Sequence, residues 1–378
     1  IDELISYGLS HGFETREEAQ RLYQARHVVG EKLGLLFPSL NFRSIVVASE
    51  KSFTEVASSF IGFIFPSHWF QWKESKHLAL AEKESYKTLL ANRLNEIQNL
   101  YHNIHLMIVQ KDIFSFYHSK MKEIINHIIY QKDHLHRPID PEQLGIIYTI
   151  RAQLAHSKKK LSFDLNNIYH QLGFAVAYKK NWEKIKLKRL LFKDISELEK
   201  LVISQKTLTK IYKKSTELKT IAHLKEAARY AKKSRYFDFI SPHGNNNLGV
   251  GYVHSIKIAK SKIHLLEIQK EKTLANLKLS TYNAIYKFNE SIKLYRNSIK
   301  MQVAMEGPMQ SLIDNVLNLE EFFDIEKAIR FFDYSLRADT ATNLNWHLNL
   351  IAKNHMDRLL WKGSKIKQVD FLALQKKH

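Results

Sequence analysis

The chain has 378 residues, with 58 Lys or Arg against 38 Asp or Glu, and it contains no cysteine. Only 12 glycines and 6 prolines are present, which argues against all-β and doubly wound α/β folds and favours long helices with few turns. The lack of cysteine excludes disulfides, thiolate metal sites and cysteine nucleophiles.

The excess positive charge is spread along the chain as short lysine runs. Scattered lysines are typical of solvated helix faces, whereas a nucleic-acid footprint concentrates basic residues with stacking aromatics. No stretch approaches the roughly 20 apolar residues of a membrane-spanning helix. The chain opens at Ile1-Asp2-Glu3 without the basic segment and apolar core of a signal peptide, which a mature exported chain would have lost.

The first predicted elements are a helix and a β-hairpin. The helix runs to about Leu36, because Pro38 disfavours helix in the residue before it. Two runs rich in β-branched and aromatic residues follow, at 41–49 and 56–65, joined by a short polar link and closed by Pro66. This pattern predicts a β-hairpin over about 41–65.

A very long helix is predicted over about 68–134, a stretch without glycine or proline. Its apolar residues alternate at spacings of four and three, which is typical of a coiled-coil seam. The seam comprises Leu90, Leu94, Ile97, Tyr101, Ile104 and Ile108, and after a phase change Tyr117, Met121, Ile124 and Ile128. Pro138 and Pro141 end it, and a return helix is predicted over about 142–178.

The second half repeats this order of elements. It is predicted to contain a helix over about 194–233, a hairpin over about 236–253, a long helix over about 255–305 and a return helix over about 309–361. Gly307 and Pro308 are predicted to break the last two apart. The chain therefore divides into two structural repeats, 1–182 and 183–363, and a C-terminal tail, 364–378.

The two hairpins need partners, because an isolated hairpin is marginally stable and its edges must be covered. Symmetric copies of the same chain would supply them most simply. Trp69, Phe70 and Trp72 follow the first hairpin, as an aromatic girdle does at a membrane interface. Packing of these rings at a strand–helix junction is the alternative.

No catalytic or metal site is predicted. His102 and His105, and His134 and His136, have spacings that can bind zinc or copper, but chance pairs are expected among 19 histidines. No Ser/His/Asp order, paired carboxylate pocket or glycine-rich phosphate loop supports a reaction, so neither enzyme activity nor a cofactor is expected.

Three segments resemble the TolC-like outer-membrane efflux protein family. Ala25 through Asn41, with Leu36-Phe37-Pro38-Ser39-Leu40, is similar to the family's helix that ends in Leu-Pro-Ser-Leu before the first strand. Arg151-Ala152-Gln153 sits where the first return helix carries a similar tripeptide. Gly307, followed by Ser311-Leu312-Ile313-Asp314, resembles the start of the last return helix. The resemblance covers about 1–363.

The resemblance implies a mainly α fold with a minor β part. Three protomers would each give four strands to one barrel in the outer membrane of a Gram-negative bacterium, and coiled-coil helices would form a tunnel through the periplasm. The implied function is a duct that exports small molecules or proteins in a tripartite efflux or type I secretion system. Outer-membrane lipid would surround the barrel, and nucleic acid is not an expected partner.

The resemblance implies that a periplasmic adaptor and an inner-membrane transporter would dock at the helix tips, which the helix-breaking residues predict at Arg137, Pro138, Pro141, Gly307 and Pro308. The resemblance also places Asp314 at the closed end, where three copies would form an acidic ring. The family's second acidic position is occupied by Leu317, however, so the ring would be incomplete. The alternative interpretation of Asp314 is an N-terminal helix residue favoured by the helix dipole.

Two other functions fit the sequence. The chain could be a TolC-like structural component of a larger secretion assembly without transport of its own. It could also be a soluble basic coiled-coil scaffold that binds a membrane surface or nucleic acid. The paired hairpins favour the membrane channel over the scaffold.

Overall fold

A computed structural model describes residues 1–36, 65–136, 138–178, 187–188, 190–191, 193–196, 198–202, 204–237, 250–317 and 324–360. These residues form helices and loops, and no strand occurs among them. The helices are α1 (Asp2–His11), α2 (Phe13–Gly34), α3 (Pro66–His134), α4 (Pro141–Ala175), α5 (Gln205–Lys214), α6 (Thr216–Phe237), α7 (Val250–Leu317) and α8 (Ile325–Leu359).

The helix lengths recur in the same order in the two halves of the chain. Helices α1, α2, α3 and α4 have 10, 22, 69 and 35 residues. Helices α5, α6, α7 and α8 have 10, 22, 68 and 35 residues. Such a recurrence is what a duplicated unit produces. The division into repeats at residue 182 remains a prediction.

Helices α3 and α4 occupy the residues where the sequence predicts a long helix and a return helix. Along α3 most of the predicted seam is buried: Ile97 and Ile104 are fully buried and Leu90 and Tyr101 nearly so, whereas Leu94 and Ile108 are half-buried. The spacing of apolar residues thus identified the face that packs. The first predicted hairpin, at 41–65, lies outside the described residues except for Phe65.

The predicted break at Gly307 and Pro308 is wrong, because α7 continues through both residues to Leu317. An internal proline removes one backbone hydrogen bond and costs about 3 kcal/mol. Directly after it, Met309 and Leu312 are buried in a hydrophobic cluster. We attribute the continuity of α7 to this packing, since tertiary contacts routinely outweigh local propensity.

The predicted bounds of the second hairpin, 236–253, are also wrong at both ends. Tyr236 and Phe237 end α6, and 250–253 begin α7. The two helix ends are joined by hydrogen bonds, since Tyr252 Oη donates to the Tyr236 carbonyl (3.1 Å) and an Arg235 guanidinium N–H donates to the Ser255 carbonyl (2.7 Å). Among the described residues that suggested strands here, Phe237 packs on Phe70, whereas Tyr236 and Val253 are exposed helix residues. Residues 238–249 lie outside the described residues.

The chain forms two compact units, each built from both halves of the sequence. Unit 1 contains 1–12, 93–204 and 282–358, and unit 2 contains 13–92, 205–281 and 359–378. The core of unit 1 combines four helices. Its members are Tyr117, Met121, Ile124, Ile125 and Ile128 of α3, Ile147 and Leu154 of α4, Met309 and Leu312 of α7, and Ala328 and Phe332 of α8.

Unit 2 is held together by polar as well as aromatic contacts. The Thr88 and Thr216 hydroxyls lie 2.5 Å apart, and Ser85 Oγ donates to the Glu18 carboxylate (3.1 Å). Lys225 Nζ and Glu267 Oε1 form an ion pair (2.6 Å) between α6 and α7. These contacts place the first part of α3 beside α2 and α6 within this unit.

Candidate functional site

An aromatic cluster lies where α3 begins and α6 ends, within unit 2. The Phe70 ring stacks on Phe237 (centroids 5.7 Å apart) and on Tyr230 (6.4 Å). Trp69 and Trp72 meet edge to face at 6.0 Å. We call these five side chains the aromatic cluster. The sequence predicted the three residues of α3 but not their partners, which are about 160 residues further along the chain.

Four lysines approach the rings of this region and form what we call the lysine group. The Nζ atoms of Lys73 and Lys233 lie 5.7 and 5.4 Å from the Tyr230 centroid. Lys76 Nζ lies 5.6 Å from Trp72, and Lys232 Nζ lies 5.8 Å from Tyr236. Ammonium groups within about 6 Å of a ring face are attracted by its quadrupole.

Both expected roles of Trp69, Phe70 and Trp72 are compatible with this geometry. The Phe70 ring packs α3 against α6, where Ser234 Oγ also donates to the Ser67 carbonyl (3.3 Å). All three side chains are half-buried, so part of each ring reaches the surface. Amphipathic aromatic and lysine side chains of this kind are enriched at membrane–water interfaces. Their role as a girdle therefore remains a prediction.

The connection between α3 and α4 forms one helix-hairpin tip in unit 1. Helix α3 ends at His134, and α4 begins at Pro141, the first helical position that proline favours. The Asp140 carboxylate caps α4 by accepting from the Glu142 backbone N–H (2.9 Å). Pro138 lies in this connection, and Arg137 lies outside the described residues.

The second connection falls later than predicted, between Leu317 of α7 and Ile325 of α8. Asp324 begins α8 by accepting from the Lys327 backbone N–H (3.0 Å). Gly307 and Pro308 are therefore interior residues of α7 and do not form a tip. Residues 318–323 lie outside the described residues.

Asp314 lies in the last turn of α7, not in the first turn of a return helix. Its side chain is exposed, and its Oδ1 accepts from Gln310 Nε2 (2.9 Å), one turn earlier. The interpretation of Asp314 as an N-terminal residue favoured by the helix dipole is wrong, because a carboxylate at a helix C-terminus faces the negative end of that dipole. Asp314 thus gains no stabilisation from the helix dipole.

A buried histidine group lies in unit 1, where His102 and His105 of α3 and His347 of α8 are 7%, 2% and 1% exposed. His347 Nδ1–H donates to the Asn343 carbonyl (2.9 Å), while His347 Nε2 and His102 Nδ1 are buried without a hydrogen-bond partner among the described residues. Burial lowers the pKa of His102 and of His347 to about 4, and the neighbouring histidines lower it further, His347 and His105 for His102, and His105 for His347. His102 and His347 are therefore neutral at pH 7.

A second buried polar contact joins α3 to α8. The Tyr117 hydroxyl donates to the Asp339 carboxylate (2.8 Å), and Ser335 Oγ lies 2.7 Å from the same hydroxyl oxygen. Burial raises the pKa of Asp339 above the ordinary aspartate value and also raises the pKa of Tyr117. The sequence predicted Tyr117 as a core residue, but it did not indicate that Asp339, more than 200 residues away, would be its partner.

The described residues contain no group of three or more His, Asp or Glu side chains arranged to hold a metal ion. His134 ends α3, and His136 lies in the connection that follows. None of the described helices contains an apolar stretch long enough to cross a membrane.

No protein-family model matches the chain, and no curated protein matches it significantly. Solved structures do match it over almost its full length. The outer-membrane channel OprN has a TM-score of 0.76 at 12% identity, covering 95% of this chain and 89% of that chain. The Campylobacter jejuni CmeC outer membrane channel has a TM-score of 0.73 at 11% identity, covering 97% and 88%.

The Neisseria gonorrhoeae MtrE outer membrane channel, described in its open state, has a TM-score of 0.71 at 9% identity, covering 95% of this chain and 88% of that chain. At these identities the likeness defines the fold. The chain has the fold of the TolC-like outer-membrane channels, as the resemblance of its sequence predicts.

Proposed function

We propose that the chain is one protomer of a homotrimeric outer-membrane channel whose long helices line a duct through the periplasm. The observation that carries this proposal is the match of nearly the whole chain to three outer-membrane channels at TM-scores of 0.71 to 0.76. The aromatic cluster supports this proposal, because its residues are close in sequence to 37–64 and 238–249, the two segments where a membrane domain would be inserted. The duct would export small molecules or proteins.

The strands that cross the membrane would come at least in part from 37–64. This segment has 28 residues, which is enough for two barrel strands of about 9–11 residues each and a turn between them.

A periplasmic adaptor and an inner-membrane transporter would dock at the helix tips of unit 1. Pro138 and Pro141 belong to the first tip, and Arg137 is assigned to it by its place in the sequence. The second tip would be formed by 318–324 in place of Gly307 and Pro308, because α7 extends past both of these residues. Two helical hairpins of this kind offer exposed helix ends that a coiled-coil partner can extend.

Planar-bilayer recording tests the proposed function. The purified chain, reconstituted as a detergent-stable trimer, is expected to give discrete and long-lived conductance steps. A stable membrane-inserted trimer without conductance would favour the structural component of a secretion assembly. A chain that stays in the soluble fraction of a Gram-negative host would favour the scaffold and contradict the proposal.

Asp314 offers a prediction for the closed end of the duct. Because its carboxylate lies near the C-terminus of α7, Asp314→Asn should leave the free energy of unfolding unchanged or raise it by about 0.3–1 kcal/mol. If three copies face the lumen, as the family resemblance implies, the same change should reduce cation selectivity of the conductance. Reversal potentials in a salt gradient measure this selectivity.

The matched control is Asp333→Asn, since Asp333 pairs with Arg337 (2.8 Å) on the exposed surface of α8. This change should leave the selectivity as it is. Equal cation selectivity in the parent and both variants would show that Asp314 does not line the constriction of the duct.

A further inference from the structure

Positive charge is concentrated at one set of helix ends. The four ends that flank 37–64 and 238–249, namely 24–36, 66–77, 225–237 and 250–262, contain twelve Lys or Arg residues and three Glu residues. The ends that flank the two helix-hairpin tips, 122–134, 141–153, 305–317 and 325–337, contain six basic and seven acidic residues. The net charges are therefore +9 and −1, although the lysine runs appear scattered in the sequence.

The lysine group belongs to the part of this charge that no carboxylate among the described residues neutralises. In α6, which also carries Lys232 and Lys233, Lys225 pairs with Glu267 and Arg229 pairs with Glu226. Among the described residues, none of Lys73, Lys76, Lys232 and Lys233 forms a salt bridge with a carboxylate. They rest on the faces of the aromatic rings instead.

This arrangement suits an anionic headgroup. A ring face holds the lysine stem in place but leaves the ammonium its three donors, which a phosphate oxygen can accept. Phe70 and Tyr230 lie beneath Lys233, so the same surface offers apolar area beside the charge. Side chains with an apolar body and a charged end occupy the boundary between headgroups and acyl chains.

We propose that the aromatic cluster and the lysine group form a binding surface for anionic phospholipid in the periplasmic leaflet of the membrane. The inference rests on the proposed membrane insertion, and it adds a preference for lipid charge that a general aromatic girdle does not have. Each lysine near an anionic surface contributes about fivefold to the affinity.

Quenching of tryptophan fluorescence by brominated lipids tests this surface in the intact chain. In a background where Trp182, Trp346 and Trp361 are replaced by Phe, only Trp69 and Trp72 emit. The chain is reconstituted into vesicles of brominated phosphatidylglycerol in phosphatidylcholine, and into the reverse mixture. Stronger quenching by the anionic lipid reports its enrichment beside these two residues.

The site variant carries Lys73→Gln, Lys76→Gln, Lys232→Gln and Lys233→Gln. The control carries Lys159→Gln, Lys160→Gln, Lys213→Gln and Lys214→Gln, which remove the same charge from exposed positions of α4 and α5. We expect the parent and the control to favour phosphatidylglycerol by about fivefold or more, and the site variant to lose most of this preference. The preference of the parent should also weaken at 1 M salt, where charges are screened within about 3 Å.

Four results would overturn the proposal. Preference for the anionic lipid in the site variant would show that the lysine group does not bind it. Equal loss in the control would assign the preference to net charge. Absence of quenching by either lipid would show that the cluster does not lie at a membrane, and would contradict both the membrane placement and the lipid site. Strong but equal quenching by the two lipids would agree with the membrane placement and contradict only the preference for anionic lipid.

Discussion

Phe332→Ala is expected to lower the free energy of unfolding by about 3–5 kcal/mol. Phe332 is 1% exposed, and its ring meets Tyr117 edge to face at 5.0 Å in the core of unit 1. Helices α3, α4, α7 and α8 all contribute to this core. Removal of the ring takes its contact with Tyr117 from this shared core and leaves a cavity that the surrounding helices close only in part.

Chemical unfolding in detergent, followed by circular dichroism, measures the loss. Phe163→Ala is the matched control, because Phe163 is 67% exposed on α4, and its removal should change the free energy by less than about 0.5 kcal/mol. A similar loss for both substitutions would contradict the four-helix core described for unit 1.

Acidification from pH 7 to about pH 4 is expected to destabilise unit 1 strongly. His102 and His347 have a pKa near 4 in the folded chain and near 6.5 when unfolded. Between these values the unfolded chain binds more protons, so stability is complete above about pH 6.5 and is lost as the pH falls toward 4. Protonation of each histidine is expected to lower the free energy of unfolding by at most about 3 kcal/mol. The two losses do not add fully, because the two side chains interact.

Thermal unfolding at a series of pH values tests this linkage. The double variant His102→Gln and His347→Gln should have a flatter pH profile than the parent between pH 6.5 and 4. His156→Gln, a change at an exposed histidine of α4, should keep the parent profile. Identical slopes in all three proteins would show that the buried histidines are not the source of the acid sensitivity.

The long helices could be predicted because their signal is local and repeated. The stretch 68–134 lacks glycine and proline, and its 4-3 spacing identified Ile97, Tyr101 and Ile104 as buried. The fold of the whole chain was reached through a resemblance of short segments. Periodicity over two long helices already restricted the alternatives to elongated helical proteins.

Pro308 and the ends of the second hairpin were predicted wrongly because tertiary contacts decided them. Proline ends a helix only where nothing compensates for the lost backbone hydrogen bond. Here Met309 and Leu312, just after Pro308, are buried in the core, and this packing compensates for the loss. Tyr236 and Tyr252 favour strands by propensity, but a hydrogen bond between them joins two helices. Propensity does not reveal which distant residues will be neighbours.

The candidate sites were predictable only in part, for the same reason. Trp69 and Trp72 stood out because three large aromatic residues occur within four positions. The contacts that Phe70 and Lys73 make with Tyr230 depend on how α6 packs within unit 2. His102 and His105 were noticed for their spacing, yet their chemistry follows from burial beside His347, which only the packing of α8 produces.

Labelling of single cysteines in intact cells tests most directly whether this chain enters the outer membrane through its first segment. The parent contains no cysteine, so each site can be labelled without background. Lys51→Cys, in the polar link of 37–64, is expected to react with a membrane-impermeant maleimide added outside a Gram-negative host. The periplasmic control Lys159→Cys should react only after the outer membrane is permeabilised. Lys51→Cys that stays unlabelled until permeabilisation, like the control, would contradict the proposal that 37–64 crosses the outer membrane.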